Sequence, residues 1–351
     1  MTRVVGFDPG TVSIDVCGLV DGRLYLDQSW PTEEALAHPE RILDLLLSSG
    51  VPDLVAGPSG YGLPLLRSTD TTEEDFRLAF LAEPDEPGGI GGLRRLARQL
   101  EASGAPVVYL PGVIHLDTVP EHRKVNRVDL GTADKLCAAA LGLHHECERL
   151  ACTPEEVSFI LMELGGGFTA GLAVEQGQIV DGVGGTSGPI GWRAAGALDG
   201  EVAFLAGHVS KAALFQGGVA SLLAQHPHQR FVALDAYVEG LIKMVRQLCC
   251  SAPSASEILV SGRKAAEDEI LRPLTQRLAD LGPVRRLRGF AAVAKQGAQG
   301  AALLADGLRG GRHAALVDRL RLREARGTVL DHLVFISPDA ARRRLGIAVD
   351  A

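Results

Sequence analysis

The 351-residue sequence has little aromatic character and no concentrated block of basic residues. Aromatic residues make up 5% of the chain, so we expect cores built from aliphatic side chains. The formal net charge is −8 and the Lys and Arg residues are dispersed, which argues against nucleic acid as a partner. No uncharged apolar run approaches membrane-spanning length, and no secretory signal develops before the first aspartate. These absences predict a cytoplasmic protein with no membrane partner.

Several common chemical motifs are also missing. The six cysteines form no CxxC pair, so we expect reduced thiols, as in a cytosol. The patterns GxxxxGK[ST], HExxH and GxSxG do not occur. The glycines at 88–92 and 182–188 do not fit a dinucleotide fingerprint, because neither run follows a strand and opens a helix. Any catalytic chemistry must therefore lie in other motifs.

The sequence does contain an internal repeat of a strand–turn–strand unit. The first copy reads RVVGFDPGTVSIDVCGLVDGRLY over residues 3–25, and the second reads ILMELGGGFTAGLAVEQGQIV over 160–180. Three pairs of residues align without a gap at one offset of 155 residues: Asp8 with Glu163, Gly10 with Gly165, and Gly22 with Gly177. A repeat about one domain apart predicts two similar domains.

Strands alternate with helices through both halves, which predicts an α/β fold. We expect a first domain over 1–152 with an insertion at about 57–92, a second domain over 153–310, and an extension over 311–351 that packs back on the first domain. The insertion is rich in Pro, Gly and acidic residues and is interpreted as loop. The predicted helices that bear on the site are Thr32–Ser48, Leu93–Ser103, Thr132–Leu150, 193–206, 264–281 and 290–308.

The two turns of the repeat have the chemistry of a phosphate site. A glycine-rich turn exposes consecutive backbone N–H groups and lets a phosphate approach closely. The acids that open the two copies, Asp8 and Glu163, would then lie where a magnesium ion that bridges phosphates is held. A single hairpin of this kind usually has a purely structural glycine turn. Two copies at a matched offset favour a shared phosphate site. Two purely structural hairpins remain the alternative.

These motifs resemble those of the superfamily of acetate and sugar kinases, heat-shock chaperones and actin. GFDPGT resembles its first phosphate motif, ELGGGFT its second, EILVSGRKA (257–265) its adenosine motif, and AKQGAQGAALLA the helix that returns towards the first domain. The resemblance covers residues 3 to about 308. It implies two ribonuclease-H-like (actin-like ATPase) domains related by internal duplication, with ATP and Mg²⁺ in the cleft between them. It also implies nucleotide contacts from Gly10, Thr11, Gly165, Gly166, Gly167, Thr169, Ser261, Gly262 and Arg263.

A narrower resemblance concerns the segments VDLGTADKLCAAALG and DGVGGTSGPIGWRAAGALDGEVA, which are similar to a family labelled predicted butyrate kinase. GTADK is also similar to the GADR motif of type III pantothenate kinase, in which the aspartate is a general base. That similarity implies a catalytic role for Asp134. Alternatively, an acid is favoured at this position by the dipole of a helix capped by Thr132. With a carboxylate acceptor no base is needed, and Asp134 would position metal or substrate.

An arginine is the natural group to neutralise a transferred phosphoryl group or to clamp a carboxylate. Arg193 is the first candidate, ahead of Arg123 and Lys124, and an ordinary helix-surface arginine is the alternative. The residues expected to line the substrate pocket are Asn126, Asp129, Thr186, Ser187 and Gly188. Two departures from the superfamily stand out: Glu163 replaces a frequent aspartate, and Arg263 replaces the second residue of a Gly-Gly pair.

The sequence thus predicts an ATP- and Mg²⁺-dependent kinase that transfers the γ-phosphoryl group to a small-molecule acceptor. A short-chain carboxylate, as in butyrate or acetate kinases, is preferred over a hydroxyl group. The alternatives are a hydroxyl-directed sugar or pantothenate-type kinase, an ATPase that regulates another protein, and a nucleotide-binding switch or scaffold. The expected partner is the small-molecule acceptor. The sequence is also compatible with a homodimer.

Overall fold

A computed structural model of the chain describes residues 1–10, 12–81 and 99–349. Its strands form two sheets. The first sheet contains β1 (Arg3–Pro9), β2 (Ser13–Val20), β3 (Arg23–Pro31), β4 (Leu54–Pro58), β5 (Leu66–Arg67) and β6 (Val107–Leu110). The second contains β7 (Phe159–Leu164), β8 (Thr169–Glu175), β9 (Gln178–Val183), β10 (Glu257–Ser261) and β11 (Val284–Arg286).

The helices alternate with these strands, as the sequence predicts. In the first half they are α1 (Thr32–Ala37), α2 (Pro39–Ser48), α3 (Glu73–Phe80), α4 (Glu121–Lys124) and α5 (Ala133–Leu150). In the remainder they are α6 (Gly200–Ala206), α7 (Val219–Gln225), α8 (Arg230–Cys249), α9 (Asp268–Arg277), α10 (Gln296–Leu308), α11 (Ala314–Arg319) and α12 (Pro338–Arg344).

The two sheets repeat one topology. Their strand orders are β3-β2-β1-β4-β6-β5 and β9-β8-β7-β10-β11, with antiparallel hairpins on one side and parallel strands on the other. The first sheet has one extra edge strand, β5, which is antiparallel to β6. Even the irregularities repeat at the 155-residue offset, because the register shift at Gly18/Leu19 recurs at Ala173/Val174. The α/β fold with a duplicated unit is therefore confirmed. The exact boundaries at 152 and 310 stay a prediction.

The core is layered. The inner faces of both sheets enclose α5 and α10, whose side chains join one apolar cluster with Val4 of β1 and Phe159 of β7. The outer face of the first sheet packs on α2, and the outer face of the second packs on α8 and α9. Strands β1 and β7 are covered on both faces of their sheets. Their sequences are therefore nearly continuous apolar runs.

Helix α10 lies unusually close to its neighbours. A Cβ atom on Gly6 of β1 would lie 2.1 Å from the carbonyl oxygen of Ala298. A Cβ atom on Gly300 would lie 1.8 Å from the carbonyl oxygen of Cys137 on α5. Glycine is therefore required at both contacts, which explains the small-residue sequence of this helix. The close packing fixes the first turn of α10 beside the end of β1.

Several helix predictions are wrong in extent. The segment Thr32–Ser48 is two helices, because Pro39 lacks an N–H group and restricts the residue before it, His38. In 193–206 only α6 is helical, starting where Asp199 caps the N–H of Glu201. The prediction 290–308 shortens to α10, and 264–281 divides into a short 3₁₀ turn and α9.

The predicted insertion at about 57–92 is not simply loop. It contains β5 and also α3, which begins with a capping box between Thr72 and Asp75. Its last part, 82–92, and the beginning of the predicted helix Leu93–Ser103 lie outside the described residues. The glycines at 88–92 lie outside them as well.

The C-terminal segment contacts both halves of the chain. Arg77 donates to the carbonyl oxygen of Gly346 at 2.6 Å, and Asn126 accepts from the N–H group of Val334 at 2.7 Å. Arg319 of α11 donates to the carbonyl oxygen of Gln176, in the turn between β8 and β9. All six cysteines are unpaired. Within the described ranges, no helix combines the length and apolar character that crossing a bilayer requires.

Candidate active site between the two sheets

A cleft of about 530 Å³ lies where β1, β7 and β10 end. Both halves of the chain line it. It brings together most of the residues that the sequence assigned to nucleotide, metal and catalysis: Asp8, Gly10, Asp134, Glu163, Gly165–Gly167 and Ser261–Arg263. The two turns of the repeat thus face a common space, which neither copy could form alone.

The first loop follows β1. Asp8 is only 7% exposed, and its carbonyl oxygen accepts the N–H of Gly10 at 3.1 Å. The hydroxyl of Thr32 donates to the carbonyl oxygen of Gly10 at 2.6 Å, which ties the loop to the start of α1. Thr11, a predicted nucleotide contact, lies outside the described residues.

The second loop follows β7 and is closed by a hydrogen bond from the N–H of Gly165 to the carbonyl oxygen of Phe168. Beside it, β10 ends at Ser261, which pairs with Glu163. Gly262 has a φ of +88°, and a Cβ atom there would lie 2.5 Å from the carbonyl oxygen of Leu164. Glycine is thus required here, whereas Arg263 is exposed and lines the cleft rather than filling it.

Two predicted site residues, Thr169 and Arg193, do not line the cleft. Thr169 is fully buried, with its hydroxyl 3.5 Å from the hydroxyl of Tyr237. Arg193 donates its backbone N–H to the carbonyl oxygen of Gly167 at 3.0 Å, and its guanidinium lies 3.6 Å from the position of a Cβ atom on Gly167, so it lies beside the second loop. It is not a helix-surface arginine, because it precedes α6 in an irregular segment. Its catalytic role stays a prediction.

The five predicted substrate residues do not line this cleft. Asn126 has a positive φ of 55°, and its side-chain oxygen accepts the N–H groups of Val334 and Phe335. The other four form a second cluster. Asp129 accepts the N–H and hydroxyl of Thr186 at 2.9 and 3.0 Å, the hydroxyl of Ser187 donates to the Asp129 carbonyl oxygen, and Gly188 is buried nearby. These contacts hold loops together, and the substrate role stays a prediction.

The centre of the cleft holds an ion cluster on the first turn of α5. The Lys135 ammonium lies 2.5 Å from Oδ2 of Asp134 and 3.6 Å from Oε2 of Glu163, so it joins the two halves of the chain. The hydroxyl of Thr132 donates to Oδ1 of Asp134 at 2.5 Å. Thr132 occupies the N-cap position but makes no side-chain cap to the helix, contrary to the prediction. Its hydroxyl orients the carboxylate instead.

These contacts set the charge states of the cluster. Burial raises the pKa of the Asp8 carboxyl to about 7, and the neighbouring Asp134 carboxylate acts in the same direction. Burial also raises the pKa of Glu163. For Asp134, burial is outweighed by the ammonium of Lys135 and by hydrogen bonds from Lys135 and Thr132, so its pKa is lowered. Of the three carboxyl groups, Asp134 is therefore the one whose ionised form is favoured by its surroundings.

Lys135 and Lys295 are the charged cleft residues that the sequence interpretation missed. Lys295 precedes α10, and its ammonium lies 3.2 Å from Oδ2 of the buried Asp15. The segment before it is anchored by Asp27, whose carboxylate accepts the N–H groups of residues 292–294. Sequence signals did exist, because Lys135 directly follows Asp134 and Lys295 lies in the motif that predicts a helix returning to the first domain.

The donor set fits a magnesium–phosphate complex at Asp8. Mg²⁺ in such complexes needs only one or two carboxylates, since phosphates and water supply the other oxygens. Gly297 leaves room for this carboxylate, because a Cβ atom there would lie 2.5 Å from Oδ2 of Asp8. Glu163 fits less well, because its Oε2 faces the Lys135 ammonium. Within the described ranges, no group of three or more His, Cys, Asp or Glu side chains is placed to hold a metal ion by itself, so phosphates and water would supply the remaining ligands.

Comparison with solved structures defines the class of fold. A propionate kinase from Francisella tularensis subsp. tularensis SCHU S4 is similar over 86% of this chain and 98% of its own, at 13% identity and a TM-score of 0.62. An acetate kinase from Entamoeba histolytica is similar over 80% and 87%, at 12% identity and a TM-score of 0.56. A ROK hexokinase from Thermus thermophilus (22% identity, 88% and 100% covered) has a TM-score of 0.43, too low to support an argument.

The chain therefore has the two-domain α/β fold of these acetate and propionate kinases. It belongs to the family described as Protein of unknown function (DUF1464), whose model matches residues 6–335. No curated protein sequence matches the chain significantly. The narrower resemblance to the family labelled predicted butyrate kinase is not confirmed.

Proposed function

We propose that this protein is an ATP- and Mg²⁺-dependent small-molecule kinase that acts in the cleft between the two sheets. One observation carries the proposal. Two glycine turns from repeated units, an aspartate at the end of β1 and a glycine-arginine turn after β10 line one cleft of about 530 Å³. That volume suits a small-molecule site, and the grouping suits phosphates held between two domains.

The residues of the chain have distinct roles in this proposal. Gly166 and Gly167 line the cleft, and in this proposal their backbone N–H groups donate to phosphate oxygens, whereas the N–H of Gly165 closes the loop. Asp8 holds Mg²⁺, which when bound neutralises charge on the phosphates. Lys295 lies over the first loop, with its ammonium 3.1 Å from the position of a Cβ atom on Gly10. It thereby places a positive charge at the phosphate side of the cleft.

The state of Asp134 bears on the acceptor. Its lowered pKa makes Asp134 a weaker proton acceptor than an ordinary aspartate, which favours an acceptor that needs no general base. A carboxylate acceptor is already ionised at neutral pH and needs no base. Its oxygen attacks the γ-phosphorus, the bond to the bridging oxygen of ADP breaks, and an acyl phosphate forms. We therefore propose a short-chain carboxylate, in line with the acetate and propionate in the names of the two similar kinases.

An ADP-release assay with a panel of acceptors tests this proposal. The panel contains acetate, propionate, butyrate, glucose, pantothenate and no acceptor, and hydroxylamine traps any acyl phosphate. We expect ADP release to depend on a short-chain carboxylate and to be matched by hydroxamate. Asp134→Asn should then lower kcat by less than about tenfold, whereas loss of a general base typically costs at least about a hundredfold.

The other outcomes identify the alternatives. Turnover that requires glucose or pantothenate would contradict the carboxylate acceptor and restore Asp134 as a base. ADP release without any acceptor would indicate an ATPase. Nucleotide binding with no turnover on any acceptor would favour a switch or scaffold over a kinase.

A further inference from the structure

A second cavity, of about 360 Å³, lies away from the nucleotide cleft and shares no lining residue with it. Its walls come from the segment between β6 and α4, from α4 itself, and from residues 326–332 of the C-terminal segment. The polar residues that line it are His115, Asp117, Glu121, Lys124, Arg326, Asp331 and His332. Its volume is within the range of small-molecule sites.

Two buried polar atoms at this cavity have no partner. Nδ1 of His115 and Oδ1 of Asp117 are both shielded from solvent and make no hydrogen bond within the part of the chain that the structure describes. His115 as a whole is 2% exposed, and burial lowers its pKa to about 4, so the ring is neutral at pH 7. A buried donor or acceptor without a protein partner is costly, so a bound water molecule or a ligand is needed to complete these bonds.

The cavity also holds cationic groups with free capacity. Lys124 is 4% exposed, and its ammonium donates to the carbonyl oxygen of Leu116 at 2.9 Å, with Glu121 only at 4.0 Å. An ammonium group has three N–H donors, so two remain available. Arg326 is exposed at the rim of the cavity. Its guanidinium makes no hydrogen bond or ion pair with the part of the chain that the structure describes.

The acidic residues are largely satisfied by the protein. Oδ2 of Asp117 pairs with Arg321 at 2.6 Å, Glu121 pairs with His332 at 3.0 Å, and Asp331 accepts from the backbone and hydroxyl of Thr328. The groups left over are therefore two cations, one carboxylate oxygen and one imidazole nitrogen. An anion alone would satisfy only the cations.

We propose that this cavity binds a small hydroxylated organic anion. Its carboxylate or phosphate pairs with Lys124 and Arg326, and a small rotation of the Asp117 side chain, whose Oδ1 is shielded here, lets the ligand's hydroxyl group donate to that oxygen. The site is separate from the proposed acceptor site, because the cleft and the cavity share no lining residue. The C-terminal segment supplies one wall, so bound ligand would also hold this segment in place.

Isothermal titration calorimetry of the full chain with four matched probes tests the proposal. The probes are glycerol, inorganic phosphate, D-glycerate and sn-glycerol 3-phosphate. We expect no binding of glycerol, weak binding of inorganic phosphate, and at least about fivefold tighter binding of whichever hydroxylated anion fits. The last two probes distinguish a carboxylate from a phosphate ligand. Equal affinity for inorganic phosphate and glycerol 3-phosphate would overturn the role of Asp117.

Variants locate the binding. Arg326→Ala should weaken it about fivefold or more, while Arg323→Ala, an exposed arginine of the same segment that pairs with Asp318, should leave it unchanged. Lys124→Met should abolish binding. Lys124 is buried, so this variant can fail to fold, and in that case the exposed Arg326→Ala variant alone decides the test. Absence of binding by all probes, or binding insensitive to Arg326→Ala, would overturn the proposal. Binding lost in Gly166→Val instead would belong to the nucleotide cleft and overturn it too.

Discussion

Asp8→Asn is expected to lower kcat for phosphoryl transfer by about a hundredfold to a thousandfold and to leave the protein folded. The side chain is the carboxylate at the end of β1 that the proposal assigns to Mg²⁺. An amide of the same shape cannot neutralise the metal, and groups that stabilise transition-state charge are typically worth about 10² to 10³ in rate. ADP release at saturating ATP measures the loss.

The stability of this variant separates chemistry from folding. The Asp8 carboxyl has a pKa raised to about 7, so it favours folding when neutral, and that contribution is lost as the pH rises from about 4 through 7. Asparagine is neutral at every pH. We therefore expect Asp8→Asn to melt at the same or a higher temperature than wild type at pH 8 without metal. A folded variant with wild-type turnover would contradict the metal assignment.

Lys135→Met is expected to destabilise the protein by about 2–4 kcal/mol at pH 8, because it leaves two largely buried carboxylates without their cation. The Lys135 side chain is 18% exposed and contacts both Asp134 and Glu163. These carboxylates raise its pKa, so the ion pairs contribute fully below about pH 10. Urea unfolding at pH 8 and pH 5 measures the loss, which should be smaller at pH 5, where the unpaired carboxyls can take up protons.

Two further variants control for this effect. Lys243→Met removes an exposed lysine that pairs with Glu239 at 2.6 Å on α8, and it should change stability by less than about 0.5 kcal/mol. Lys135→Met combined with Glu163→Gln should recover part of the loss, since one unpaired carboxylate is removed. A Lys135→Met protein as stable as wild type at pH 8 would show that the cluster is not the link between the two halves.

The sequence was sufficient to predict the two-domain fold and the facing glycine turns. Asp8 and Glu163 open equivalent turns because the strand–turn–strand unit is a local structure, and its offset of 155 residues survives even in the register shifts. Gly262 could likewise be assigned from its place after a strand. Such features depend on a few neighbouring residues and on strand pairing, both of which a sequence pattern records.

The remaining site residues depend on packing between distant segments. Lys295 reaches the cleft only because Gly6 lets α10 lie against β1 and because Asp27 anchors the preceding segment. Conversely, Asn126 looks like a substrate ligand in a polar loop, yet its side-chain oxygen binds two backbone N–H groups of the C-terminal segment. Residue type alone cannot tell a side chain that holds two loops together from one that is free to bind a ligand.

Titration of Mg²⁺–ATP into wild type, Gly166→Val and Gly200→Val by calorimetry tests the central claim most directly. Apart from chain neighbours and the local helix backbone, a Cβ atom added at either glycine would have no atom within 4 Å among the described residues, so both variants should fold like wild type. Only Gly166 lies in the second loop of the cleft, where a side chain would occupy the space of a phosphate. We predict that wild type and Gly200→Val bind equally and that Gly166→Val binds at least about tenfold more weakly. Equal binding by all three proteins, or no binding by wild type at millimolar nucleotide, would contradict the account.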